Sequence, residues 1–177
     1  MKKIFYSLIC LIGLSACSSE HITLDALKVY DVANSECKLT LSETDTRSAV
    51  FASNYVESAT FNIELGKDGS AQCLIEDVKD NCIIRERRVN VVNQANQITI
   101  IVYHKVDFEE RADCICDYDV KFKMSNLLPG NYHLKVYYAG SSMKCEEEFL
   151  AYDGQVNLAV GKKTKVTFKP GLVLPEE

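Results

Sequence analysis

The stretch CICDYDVKFKM (residues 114–124) alternates apolar and charged side chains from Cys116 onward. Successive side chains of an extended strand point to opposite faces, so this alternation predicts a strand with one buried face and one exposed face. The apolar face carries Cys114, Cys116, Tyr118, Val120, Phe122 and Met124, and the polar face carries Asp117, Asp119, Lys121 and Lys123. Both cysteines are therefore expected to point toward a hydrophobic core.

Short stretches of the same kind recur from residue 59 to the C-terminus, about 8–14 residues apart, which is typical of an antiparallel sandwich or barrel. They are ATFNIEL (59–65), SAQCLIEDV (70–78), CIIRERRVNVV (82–92), QITIIVYHKV (97–106), NLLPGNYHLKVYYAG (126–140), MKCEEEFLAY (143–152), QVNLAV (155–160) and TKVTFKP (164–170). QITIIVYHKV is apolar on both faces in its middle, as a central strand would be.

Turn signals separate these stretches. We predict a hairpin loop at GKDG (66–69), a type II turn at Pro129-Gly130 and a tight turn at Asp153-Gly154. The segment 17–35 is interpreted as a tether and lead-in, in which a short helix and a first strand are both open. One all-β domain is predicted over residues 36–177.

The N-terminus reads MKKIFYSLICLIGLSA (1–16), a basic start followed by an apolar run too short to span a bilayer, which is the pattern of a secretory signal. LSAC (14–17) resembles the lipobox of bacterial lipoprotein precursors. That resemblance implies cleavage before Cys17, acylation of Cys17 and attachment to a membrane through its acyl chains. Residue 18 is not the aspartate that retains such proteins at the inner membrane, so the outer membrane is expected, with either face open.

Removal of residues 1–16 takes away Lys2 and Lys3, so the formal net charge changes from −5 to −7. An acidic body argues against nucleic-acid binding and against electrostatic attachment to anionic lipid. The membrane contact is therefore expected to come from the lipid alone.

Export would place the remaining six cysteines in an oxidising compartment, where an even number of thiols is read as three disulfides with 15 possible pairings. A bond within the CxC pair is not expected, because residues i and i+2 of a strand lie about 7 Å apart. Cys73 and Cys82 are the nearest partners for the pair, which would leave Cys37 with Cys145. A zinc site and a redox couple are weaker readings, since no second cysteine pair and no CxxC motif is present. The six candidates are Cys37, Cys73, Cys82, Cys114, Cys116 and Cys145.

LLPGNYHLKVYYAG followed by VNLAVGKKTKVTFKP resembles transthyretin-like and carboxypeptidase-regulatory-like β-sandwich modules over about residues 128–169. With the lipobox and the CICDYDV motif, the chain as a whole is similar to small outer-membrane lipoproteins of Bacteroides-type bacteria. These resemblances imply an immunoglobulin-like or transthyretin-like antiparallel sandwich and export, and they bring no catalytic residues. The six cysteines depart from the transthyretin-like pattern.

No catalytic, metal-binding or cofactor-binding constellation is recognisable in the sequence. His21 falls in the tether, His133 on a polar strand face, and His104 at a strand end where partial exposure is expected. RERR (85–88) is interpreted as an exposed strand face that protects a sheet edge, or alternatively as a contact patch for an acidic partner. Tyr137 is expected on a polar face, where an exposed tyrosine would suit an interface.

These features predict a non-enzymatic binding or accessory module at the cell envelope, without a cofactor, that recognises a protein or glycan partner. The alternatives are a fimbrillin-like or envelope-assembly subunit, which would form oligomers or exchange a terminal strand, and a protease-inhibitor lipoprotein.

Overall fold

A computed structural model describes residues 27–38, 58–105 and 115–168 of this chain. The described residues form nine strands and one 3-10 turn, Glu147–Phe149. The strands are β1 (Lys28–Asn34), β2 (Ala59–Leu65), β3 (Ala71–Asn81), β4 (Arg88–Gln94), β5 (Gln97–Tyr103), β6 (Ile115–Ser125), β7 (Gly130–Ala139), β8 (Leu150–Leu158) and β9 (Lys163–Phe168). The predicted signal segment 1–16, Cys17 and Cys114 lie outside the described residues.

The strands form two sheets that pack face to face, so the predicted all-β sandwich is confirmed. One sheet has five strands in the order β1-β6-β3-β2-β9, and the other has four in the order β4-β5-β7-β8. All neighbours are antiparallel except β5 and β7, which are parallel. The chain passes from β5 to β6 in the opposite sheet before it returns as β7, which provides the crossover that a parallel pair requires. The narrower resemblance to transthyretin-like modules stays a prediction.

The core lies between the sheets and is built from the alternating apolar positions that the sequence predicts. On β6, Cys116, Tyr118, Val120, Phe122 and Met124 are all buried, while the residues between them are at least partly exposed. Side chains from the two sheets interdigitate to exclude water, which is the main stabilising contribution in such a sandwich.

The five-stranded sheet begins earlier in the chain than predicted. β1 pairs with β6 from Lys28↔Ser125 to Asn34↔Val120, so the domain already includes residues assigned to the lead-in 17–35. The first-strand alternative is therefore correct and the helix alternative is wrong for this segment. This segment forms a strand because its apolar side chains contact the core: Leu27 is buried and Val29 packs against the core cluster.

A bulge in β3 sets which side chains of this strand face the core. The pairing with β6 shifts between Ile75 and Val78, and Asp77 has a left-handed backbone with φ of 63°. An extra residue in one strand reverses the phase of the alternation beyond it. Odd-numbered residues point inward up to Ile75, and even-numbered residues, including Asp80, point inward afterward.

Three predicted turns have different outcomes. The hairpin at residues 66–69 is confirmed, because the Gly66 amide donates to the carbonyl of Ser70 and Gly69 has φ of 76°. The tight turn at Asp153-Gly154 is wrong, since both residues lie inside β8 opposite β7. A Cβ at Gly154 would lie 2.5 Å from the Tyr152 hydroxyl oxygen, so a larger residue would require the Tyr152 side chain to move.

The type II turn at Pro129-Gly130 is also wrong. A type II turn requires a positive φ at the glycine, whereas the positive φ in this connection belongs to Asn126, at 61°. Gly130 instead opens β7, and the connection is held by a hydrogen bond from the Leu127 amide to the Gly69 carbonyl, 2.9 Å.

Candidate functional site

Two of the predicted cysteines form a disulfide that ties the β1 side of the five-stranded sheet to β6. Cys37 is bonded to Cys116, with a Cα–Cα distance of 5.3 Å and 79 residues between them in sequence. Cys82 is also disulfide-bonded, and its Sγ lies 3.1 Å from the Sγ of Cys116. These three sulfurs therefore lie at one end of the sandwich, and the bond between Cys37 and Cys116 closes a long loop of the chain.

The predicted pairing is wrong for two other cysteines. Cys73 and Cys145 are free thiols, so Cys37 is not bonded to Cys145. Cys73 lies near the start of β3, where its cross-strand neighbours are Ile63 and Phe122, and neither neighbour is a cysteine. Burial raises the pKa of the Cys73 thiol, so it behaves as an inert apolar side chain.

A buried ion pair, which the sequence interpretation did not include, lies near the disulfide. The Arg87 Nε lies 3.2 Å from a carboxylate oxygen of Asp80, and the side chains are 1% and 7% exposed. The guanidinium carbon lies 3.3 Å from the centre of the Tyr118 ring, which places the cation over the aromatic face. The interpretation of Arg87 as part of an exposed strand face is therefore wrong.

The local backbone explains why Arg87 points inward. Residues 82–87 are not a strand, because the Asn81 side chain and carbonyl accept hydrogen bonds from the amides of Ile83 and Ile84 and turn the chain. The Asn34 side chain on β1 then accepts from the Arg87 amide at 3.2 Å and donates to the Arg87 carbonyl at 3.0 Å. The side-chain amide of Asn34 therefore holds the backbone of Arg87 beside β1, the edge strand of the five-stranded sheet.

The surroundings of this ion pair indicate a structural role. Burial raises the pKa of Asp80, although the positive charge of Arg87 opposes this shift. Burial also lowers the pKa of Arg87, but a guanidinium stays protonated even so. The adjoining cavity, which His104 and Tyr138 also line, measures about 10 Å³. A cavity of that size accommodates about one water molecule, so it is not a substrate pocket. His104 is 1% exposed, and the expected partial exposure is wrong.

The other two residues singled out in β7 lie toward the outer side of the four-stranded sheet. Tyr137 is 7% exposed, so it does not offer the free interface surface that its polar-face position suggested. His133 is partly exposed as expected, and its ring contacts the carboxylate of Asp153, which also lies 3.3 Å from the Lys135 ammonium. The hydrogen bond with His133 lowers the pKa of Asp153. Within the described chain, no hydroxyl or thiol joins this pair to complete a nucleophilic triad.

An open groove of about 340 Å³ lies on the outer face of the five-stranded sheet. We call it the outer groove. It is lined by side chains from β6, β3, β2, β9 and β1: Asp31, Asn62, Glu64, Gln72, Leu74, Lys121, Lys123 and Lys163. Strand pairing aligns these side chains in rows, one of which runs Lys123–Gln72–Glu64–Lys163 across four strands.

The charges of the outer groove are only partly neutralised. Lys123 contacts Asp31 at 2.8 Å. No ion pair with a described residue forms at Lys121, at Lys163 or at Lys165, which follows on β9 opposite Asn62. The polar face of the alternating β6 stretch therefore supplies part of a lysine-rich surface on an acidic protein.

The described ranges contain no group of three metal-ligating side chains, and no helix in them is long and apolar enough to cross a membrane. The arrangement in the outer groove can donate and accept hydrogen bonds and attract anions. No protein-family model matches this chain, and comparison with curated proteins and with solved structures found no similar protein.

Proposed function

We propose that this protein is an exported, lipid-anchored and non-catalytic binding module that takes up its ligand in the outer groove. The observation that carries the proposal is the groove itself, an open depression of about 340 Å³ in which Gln72, Glu64 and lysines without an ion pair to any described residue point toward solvent. Polar side chains are usual on the exposed face of an antiparallel sheet, and here they line a depression whose volume falls within the usual range of ligand sites, about 300–1,000 Å³.

Rigid support for the groove also favours binding. β6, β3 and β2 are interior strands, each paired on both sides, and their opposite faces are buried in the core. Side chains on such strands are held in fixed relative positions, which lowers the entropy cost of ligand binding.

The anchor in this proposal rests on the sequence LSAC (14–17). Replacement Cys17→Ala should abolish incorporation of a labelled fatty acid and release the protein from the membrane fraction, since the acyl chains are the expected attachment. Cys10→Ala is the matched control, because Cys10 lies within the expected signal. Unchanged lipid labelling in Cys17→Ala would contradict the anchor.

Binding at the outer groove can be tested on intact cells. A photoreactive amino acid replaces Leu74, in the middle of the groove, and in a control it replaces Asn90, an exposed residue of β4 in the other sheet. We expect one foreign molecule to be captured saturably from position 74 and not from position 90. Capture of copies of the same chain alone would favour the structural-subunit alternative, and identical capture from both positions would refute the groove as the binding site.

A further inference from the structure

We infer that the ligand of the outer groove is an acidic oligosaccharide, a sugar chain that carries carboxylate groups. This inference rests on the proposed binding function and adds the chemical class of the ligand. Three observations support it: the placement of the lysines, the amide and carboxylate groups between them, and the absence of free backbone groups on this face.

The lysines flank the groove on two sides. Lys121 and Lys123 lie on β6, and Lys163 and Lys165 lie on β9, with β3 and β2 between the two pairs. Three strand spacings separate β6 from β9, which is roughly 14 Å. A ligand that contacts both pairs must therefore carry separated negative charges along an extended chain.

The middle of the groove differs from a simple anion site, because it also presents a carboxylate, which would repel an anion, and a neutral amide. Glu64 is an exposed carboxylate without an ion-pair partner in the described structure, and Gln72 is an exposed amide. Asn62 is only 5% exposed, and its amide nitrogen donates to Glu76 at 2.8 Å, so it supports the floor of the groove. Carboxylates accept hydrogen bonds and amides both donate and accept them. Sugar hydroxyls are suited to such groups, and Leu74 between them can contact the apolar face of a sugar ring.

An acidic peptide fits this surface less well. Extended peptides are usually recognised through their backbone, which adds to an exposed sheet edge. The backbone groups of β6, β3 and β2 are already paired with neighbouring strands, so the groove offers side chains alone. A sugar chain, whose polar groups lie on its periphery, can be recognised entirely by side chains.

The test uses the full mature chain and oligosaccharides of polygalacturonic acid as the probe, with methyl-esterified oligosaccharides of the same length as the uncharged control. We expect calorimetry to show binding of the acid form, weakened by added salt, and at least a tenfold weaker affinity for the ester, because the charge-assisted hydrogen bonds from lysine are lost.

The double variant Lys121→Gln/Lys165→Gln should weaken binding of the acid form roughly tenfold or more, since each lysine supplies one charged contact. Lys105→Gln, at an exposed position after β5 in the other sheet, is the matched control and should bind as the unaltered protein does.

Three outcomes would overturn the inference: no binding of the acid form, equal binding of acid and ester, or equal binding of poly-glutamate. If cross-linking from position 74 still captured a foreign ligand in such a case, the binding function would stand and only the ligand class would be wrong. Failure of both experiments would remove the binding function as well.

Discussion

Replacement of Arg87 by methionine removes a guanidinium that is 1% exposed while it keeps most of the apolar volume of the side chain. The carboxylate of Asp80, 3.2 Å away, is then buried without its cation. Loss of one partner from a buried ion pair costs about 3–5 kcal/mol, because the remaining charge keeps its desolvation cost and loses its compensation. Contact with the Tyr118 ring, 3.3 Å from the guanidinium carbon, is lost as well.

Arg88→Met is the matched control. The Arg88 side chain is 41% exposed and pairs with Glu86 at 2.9 Å in contact with solvent. Exposed pairs of this kind contribute about 0.2–1 kcal/mol. The two neighbouring arginines should therefore differ in their effect on the free energy of unfolding by about 3 kcal/mol.

Urea denaturation of the two variants, together with Asp80→Leu and the double variant Arg87→Met/Asp80→Leu, measures this difference directly. We expect the double variant to be more stable than either single variant, since it leaves no unpaired buried charge. Equal destabilisation by Arg87→Met and Arg88→Met would refute the burial of Arg87, and additive single effects would refute its coupling to Asp80.

Three further predictions concern the cysteines and one surface carboxylate. Replacement of both Cys37 and Cys116 by alanine should lower the free energy of unfolding by about 4.5 kcal/mol, the loop-closure entropy for their separation of 79 residues, and a loss below 1 kcal/mol in denaturant titration would contradict the bond. Iodoacetamide should label Cys145 in the native protein, whereas it should label Cys73 only after unfolding. Labelling of Cys73 in the native protein, detected by mass spectrometry, would disprove its burial. The pKa of Asp153 should lie below its ordinary value of 3.8, because the ring of His133 hydrogen-bonds to the carboxylate, and carboxyl NMR shifts would show this. The contribution of Asp153 to the stability of the fold is then fully present above pH 3.8 and is lost as the pH falls through the lower folded-state pKa.

Much of the strand content could be predicted from local alternation. ATFNIEL (59–65) coincides with β2, and the inward set of β6 is the one that its sequence predicts. Alternation fails where one residue is added: the bulge at Asp77 reverses the phase of β3, and nothing in SAQCLIEDV indicates it. Asp80 therefore faces the core through a feature that the sequence pattern does not contain.

The candidate site was predictable only in part. The sequence placed Lys121 and Lys123 on a polar strand face, but it contained no sign that β9 would bring Lys163 to the same surface. The error at RERR has a similar origin. Charge and alternation favour an exposed strand, whereas Arg87 is drawn inward by contacts with Asn34, Asp80 and Tyr118, which are 53, 7 and 31 positions away in sequence.

The sequence by itself determined that this is an all-β chain, which face of β6 is buried and, as an expectation, that Cys17 carries lipid. These properties follow from short-range patterns, because a strand's two faces depend on residues two positions apart. The tertiary structure decided that Cys37 joins Cys116, that one strand pair is parallel, and that lysines of β6 and β9 flank a single groove. Each of these depends on which distant segments pair, and that choice is made by the packing of the whole core rather than by any one stretch of sequence.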